Sequence, residues 1–149
     1  AQWAITGKFW THPERELARA IEAIERPGWF ELPSDDVLAM TRVTGRADGR
    51  DVHGHWTRSF AELLVAPDKI RAARPRLDEI LAGDHALGRI YAALLVREVD
   101  RAAGERALAA IAERGGTVPR RSPTFFRKHR NVTVRVADIV DEVARWPST

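Results

Sequence analysis

Residues 85–114 read HALGRIYAALLVREVDRAAGERALAAIAER, and this stretch decides the architecture. Between 85 and 98, Leu87, Ile90, Tyr91, Leu94 and Leu95 recur at spacings of three and four with Ala92 and Ala93 alongside, the pattern of a helix that buries a broad face. Asp100 offers a side-chain acceptor to the exposed first-turn amides of a second helix, expected over 101–113, whose Ala103, Ala107, Leu108 and Ile111 turn inward. Gly115-Gly116 ends it. A single capping residue between two amphipathic helices makes them antiparallel neighbours, packed stripe on stripe. The fold class this predicts is all-α.

Working outward, helical spacing also appears at about 56–66, with Phe60, Leu63 and Leu64 inward, and at 75–82, with Leu77, Ile80 and Leu81 inward. Shifting the chain by 31 residues aligns Phe60 with Tyr91, Ala61 with Ala92, Leu63 with Leu94 and Leu64 with Leu95. The same shift aligns Ala72 with Ala103, Leu77 with Leu108 and Ile80 with Ile111, so both helices of each pair match without a gap. The unit Ala86 to Arg114 resembles a HEAT-like repeat: a helix of the form Gly88-Arg89-Ile90-Tyr91-Ala92-Ala93-Leu94-Leu95, a capping Asp, then a second helix. The resemblance covers residues 56–114 and implies antiparallel helix pairs stacked as a short alpha-solenoid, serving as a binding surface. It transfers no catalytic residue. A third register would set Phe125 and Phe126 opposite Leu94 and Leu95, and Ile139 opposite Leu108.

Stacked repeats leave apolar end faces that need covering. Residues 1–54 are read as an N-terminal helical cap and a loop, 55–114 as two helix pairs, and 115–149 as a basic loop with a C-terminal helix, all in one domain. Within the cap, Thr11-His12-Pro13-Glu14 reads as a capped helix start, followed by a stripe of Leu17, Ala20, Ile21 and Ile24 that Pro27-Gly28 ends. Ser34 is expected to cap a short helix carrying Val37, Leu38 and Met40. Residues 44–54 read as a polar, glycine-punctuated surface loop. Trp3, Trp10, Trp29 and Trp56 are assigned to packing between cap and repeats. Near the C-terminus, Val132, Val134 and Val136 alternate like a strand while Val136, Ile139, Val140 and Val143 follow helical spacing; the helix, over about 134–146, is the expectation.

The 149 residues are 44% hydrophobic and 30% charged, with no Cys, which fits a globular domain and excludes a disulfide scaffold, a thiol nucleophile and any Cys-ligated metal. No apolar run reaches the roughly 18–20 residues of a membrane helix. The net charge is +3 and the pI about 9.9, with arginine supplying nearly all the cations, as a GC-rich coding sequence would. The chain opens at Ala1 without a targeting segment, which reads as processing or trimming and makes the cytoplasm the expected location.

Charge is nonetheless segregated. Residues 115–137 hold no acid and carry +6, leaving −3 for the rest of the chain. Arg120, Arg121, Arg127, Lys128 and Arg130 flank Phe125-Phe126, a combination able to hold phosphates by charge and stack on bases. Its simpler reading is two buried aromatics with arginines solvating that end or pairing with acids such as Asp138, Asp141 and Glu142. Asp51-Val52-His53-Gly54-His55 is the other constellation: alternate histidines on an extended segment project to one side, where both imidazoles and Asp51 can ligate a divalent metal. Its simpler reading is a pair of solvated loop histidines, or one packed on Trp56. No phosphate-binding glycine loop or nucleophile elbow is present. The expected function is a non-catalytic protein-protein interaction module with no cofactor. Anion or nucleic-acid binding through 120–130 is the alternative, and a metal-dependent hydrolase at His53 and His55 the third reading.

Overall fold

The computed structural model describes residues 12–47, 52–122 and 130–146. Among them are seven helices and one hairpin: α1 (Pro13–Glu25), α2 (Asp35–Thr44), α3 (His55–Leu64), α4 (Pro67–Ala82), α5 (Ala86–Val99), α6 (Arg101–Arg114), β1 (Thr117–Ser122), β2 (Arg130–Arg135) and α7 (Val136–Ala144).

The central element is α5. Its run Ile90-Tyr91-Ala92-Ala93-Leu94-Leu95-Val96 is apolar on every side, and a helix without a polar face has to be enclosed. All seven residues are fully buried, and α1, α3, α4, α6 and α7 each contact the helix. At about 1.5–3 kcal/mol for each large aliphatic or aromatic side chain withdrawn from water, this one helix supplies a major part of the apolar driving force. His85 Nδ1 caps its N-terminus by accepting from the Gly88 amide at 3.2 Å; at the other end the Asp100 amide donates to the Val96 carbonyl, and Asp100 Oδ1 accepts from Ala103 at 3.1 Å to start α6. Two glycines set the closest approaches. A Cβ on Gly88 would overlap the Glu25 carbonyl of α1, and one on Gly104 would overlap the Arg97 backbone.

The 31-residue register coincides with burial, since Phe60 and Tyr91, Leu63 and Leu94, Leu64 and Leu95, Leu77 and Leu108, and Ile80 and Ile111 are all buried. The packing is not symmetric: α5 lies extensively against α6, whereas α3 packs chiefly on α1 and only lightly on α4.

Several expectations need correction. The chain is not wholly helical, because residues 117–122 and 130–135 pair as an antiparallel hairpin with Val118 opposite Val134 and Arg120 opposite Val132. The expected helix over 134–146 therefore starts only at Val136. The alternation at 132 and 134 prevails because β1 offers it a partner strand, and the Val136 amide then donates to the Gly116 carbonyl at 3.0 Å. Strand β1 occupies the place where a third repeat needs its first helix, so the third register fails; Phe125 and Phe126 lie outside the described residues. Helix α4 begins at Pro67, not at 75. Pro75 is exposed, so the Arg71 carbonyl it leaves without an amide faces water.

Met40 is exposed and Thr41 takes its inward place in α2, while Ser34 Oγ accepts from the Val37 amide as anticipated. Helix α1 has His12 as its N-cap with no side-chain cap bond; Thr11 lies outside the described residues. The 44–54 loop is anchored at both described ends by buried Ala47 and Val52. Among the described residues no helix is long and apolar enough to cross a membrane.

Candidate functional site

An open groove of about 730 Å³ lies between α1 and α4. Its floor is Leu17 and Ile21 from α1 with Ala72 and Ala73 from α4. The small side chains at 72 and 73 leave unfilled the space that a larger pair would occupy. Glu14 and Glu22 stand exposed on its rim, with no ion-pair partner among the described residues. Glu25 is the third rim carboxylate and is paired with Arg76 at 2.7 Å, Arg76 also binding Glu79 at 2.6 Å. The groove therefore joins an apolar floor to a net acidic edge. Leu17, Ala20, Ile21 and Ile24 were legible as one inward stripe, but only the last three are buried, and half-buried Leu17 is the residue the groove exposes.

An ionic cluster that sequence reasoning missed draws on α1, α3, the first turn of α4 and the 44–47 turn. Lys69 is only 2% exposed; burial pushes its ammonium below the ordinary lysine range, and the Glu62 charge partly offsets this. Burial likewise pushes the Glu62 carboxyl upward, against the pull of the Ala47 amide that donates to it at 2.9 Å. Arg46 closes the cluster on Glu16 at 2.9 Å. Buried, mutually compensating charges of this kind hold a loop in place and also mark functional sites. A shallow cleft of about 310 Å³ lies over them, with His55 and Ser59 on its wall.

The histidine constellation is not arranged as anticipated. His55 is the first residue of α3 rather than part of an extended segment, so the alternation with His53 does not apply. The His55 ring stands edge-on to Trp56 at 5.1 Å, and the His53 amide donates to Glu31 Oε2 at 2.9 Å. Asp51 lies outside the described residues. Among the described residues no three His, Asp or Glu side chains come together as a metal-holding group.

Of the basic segment, Arg120 and Arg121 sit on β1 and Arg130 begins β2, with Arg127 and Lys128 outside the described residues. Arg120 binds Glu142 of α7 through both guanidinium nitrogens, at 2.5 and 2.7 Å, and this pairing holds Glu142 below the usual carboxylate range. The Arg121 guanidinium lies 4.0 Å from the ring centroid of Trp29. Arg120 thus ties the hairpin to α7, through the pairing with Glu142 that the simpler reading allowed for, and Arg121 ties it to the segment between α1 and α2.

Glu31 is the organising acceptor of this region, and nothing in its sequence neighbourhood marked it. Its carboxylate accepts from Trp29 Nε1, from the His53 and Gly54 amides and from Thr57 Oγ1, at 2.9–3.2 Å. Its own amide donates to the Tyr91 hydroxyl at 2.9 Å, and that hydroxyl donates to its carbonyl at 2.6 Å. Comparison with family models, curated proteins and solved structures finds no match to this chain.

Proposed function

We propose that the chain is a protein-protein interaction module whose helix pairs stack in HEAT-like fashion and whose docking surface is the α1/α4 groove. The observation that carries this reading is the groove itself: apolar at its floor, open to solvent and edged by the exposed carboxylates of Glu14 and Glu22. Helical grooves of this composition take an apolar segment by burying its side chains, while rim charges select its flanks. The complementary partner is an apolar segment bearing a basic residue. Support for the stacked arrangement comes from the 31-residue register, whose large aligned positions are buried in both units, although exposed Ala72 and half-buried Ala103 are not.

Ala18→Arg tests the site, because Ala18 is an exposed groove residue and arginine is a good helix former. The expected result is loss of partner recovery in affinity capture with far-UV circular dichroism unchanged; equal recovery by both proteins would move the docking surface elsewhere.

A second reading, anion or nucleic-acid binding, is favoured by one observation: Arg120, Arg121 and Arg130 lie on the two arms of one hairpin. It requires recovery that is nuclease-sensitive and weakens steeply with salt, and that Arg130→Ala diminishes.

A further inference from the structure

We propose that the α1/α4 groove receives helix α2 of a second copy of this chain, so that copies join head to tail. The proposal rests on the docking reading and names the occupant. Three observations carry it: an exposed apolar stripe on α2, a groove floor that fits it, and complementary charge. Among the described residues, the large hydrophobic side chains left exposed are Met40 at 47% and Val43 at 80%, and both stand on α2. That helix buries Val37, Leu38 and Thr41 on one side. On the other, Asp36, Ala39, Met40 and Val43 are exposed at i, i+3, i+4 and i+7, the spacing by which one helix face enters a groove. Leu17 and Ile21 give the groove an apolar floor, and Ala72 and Ala73 leave room for Met40, whose unbranched side chain adapts to an irregular surface.

Charge sets the direction of the contact. Arg42, exposed beside the apolar stripe, supplies the cation that the rim carboxylates of Glu14 and Glu22 call for. With α2 antiparallel to α1, Arg42 near the end of α2 comes toward Glu14 near the start of α1. Asp35 and Asp36 then lie toward the Arg76 guanidinium, which Glu25 binds at the far end of α1. The opposite direction sets those two acids against Glu14 and is repulsive. The contact is intermolecular, because α2 packs on α3 and makes no extensive contact with α1 or α4 among the described residues. Its stripe and the groove are separate surfaces of one chain. Filling one leaves the other open, so association continues from copy to copy.

A single helix face makes a small and weak contact, so the test is sedimentation velocity of the full chain from about 10 μM to 1 mM. The mean mass should rise with concentration and pass that of two chains. Ala18→Arg blocks the groove, and Val43→Glu spoils the stripe with a good helix former at an exposed position. Each should weaken association about tenfold or more, the equivalent of one valine no longer buried, with far-UV circular dichroism unchanged. An equimolar mixture of these two variants pairs one intact stripe with one intact groove, and should stop at two chains. Glu14→Arg and Arg42→Glu should each weaken association, and the doubly exchanged chain should recover it. A wild-type chain that stays monomeric overturns the proposal, as does Val43→Glu associating like wild type. So does a mixture that stays monomeric or grows beyond two chains, or a doubly exchanged chain that does not recover. Partner capture that Ala18→Arg abolishes while the wild-type chain stays monomeric overturns the second copy and leaves the docking reading standing. If Ala18→Arg changes neither capture nor association, the docking reading itself falls.

Discussion

Tyr91 shows what one hydroxyl contributes when its surroundings exclude water. Burial pushes its phenol well above the ordinary tyrosine range, so the proton stays in place and serves the Glu31 carbonyl while the oxygen accepts from the Glu31 amide. Tyr91→Phe leaves both backbone groups without that partner and is expected to cost about 1–3 kcal/mol, read as a lower midpoint in urea denaturation. His85 gives a pH dependence of definite sign. Desolvation lowers its imidazole below the ordinary histidine range, and the neutral Nδ1 is the acceptor that caps α5. Between the folded and unfolded values the unfolded chain binds more protons, so stability rises with pH through that window and levels off above the ordinary histidine value of about 6.5. Replacing it by Asn keeps a cap and removes the titration. Thermal melts from pH 5 to 8 should therefore show a flatter profile for His85→Asn, and parallel profiles would place the acid sensitivity in other groups.

At the level of elements, the α5–α6 pair is the part of the fold most fully written in the chain. Asp100 caps, Gly115 ends the second helix at a positive φ of 75° that glycine readily adopts, and Leu108 and Ile111 are buried where spacing puts them. Gly104 is the residue that spacing alone undervalues. In a free helix, Gly→Ala gains up to about 1 kcal/mol. At 104 the added Cβ would meet the Arg97 backbone, and overpacking of about 1–3 kcal/mol prevails. The expected outcome is a net loss of stability on Gly104→Ala, measured by denaturation, where an exposed helical glycine would give a gain. Arg97 itself joins α5 to the 143–146 segment, donating to the Val143 and Trp146 carbonyls at 2.9 and 3.0 Å and closing the C-terminus of α7.

Across the whole molecule, the segment 29–31 joins parts that are remote in sequence. Phe30 bridges to β1, its amide donating to the Pro119 carbonyl at 2.8 Å and its carbonyl accepting from Arg121 at 3.1 Å. Glu31 gathers the loop before α3 and, through Tyr91, the central helix. Removing its carboxylate strands four donors together, so Glu31→Ala is expected to lower the melting temperature by more than Tyr91→Phe does. Its 53–57 amides should also exchange faster with solvent. A fall no greater than that of Tyr91→Phe would mean that water replaces the carboxylate without loss. The buried Lys69–Glu62 cluster and the bidentate Arg120–Glu142 pair do the same at two other junctions, each using a charge to fix a loop or hairpin against helices.

What the sequence determined by itself is the mostly helical class, the broad apolar face of Leu87, Ile90, Tyr91, Leu94 and Leu95 and the capped α5–α6 pair, because helical spacing and capping are local and act within about four residues. Tertiary structure alone decided the rest. Residues 130–135 carry an alternation that competes with helical spacing from 136 onward, and only pairing with β1, across the intervening 123–129, selects the strand. Arg120 and Arg121 look like free cations in the chain and become ties once Glu142 and Trp29 are brought to them. Helix α1 presents one continuous stripe, yet its neighbour supplies only alanine opposite part of it, and the unfilled space between α1 and α4 is the groove. Such outcomes depend on which surfaces meet, and that information is spread over residues dozens of positions apart.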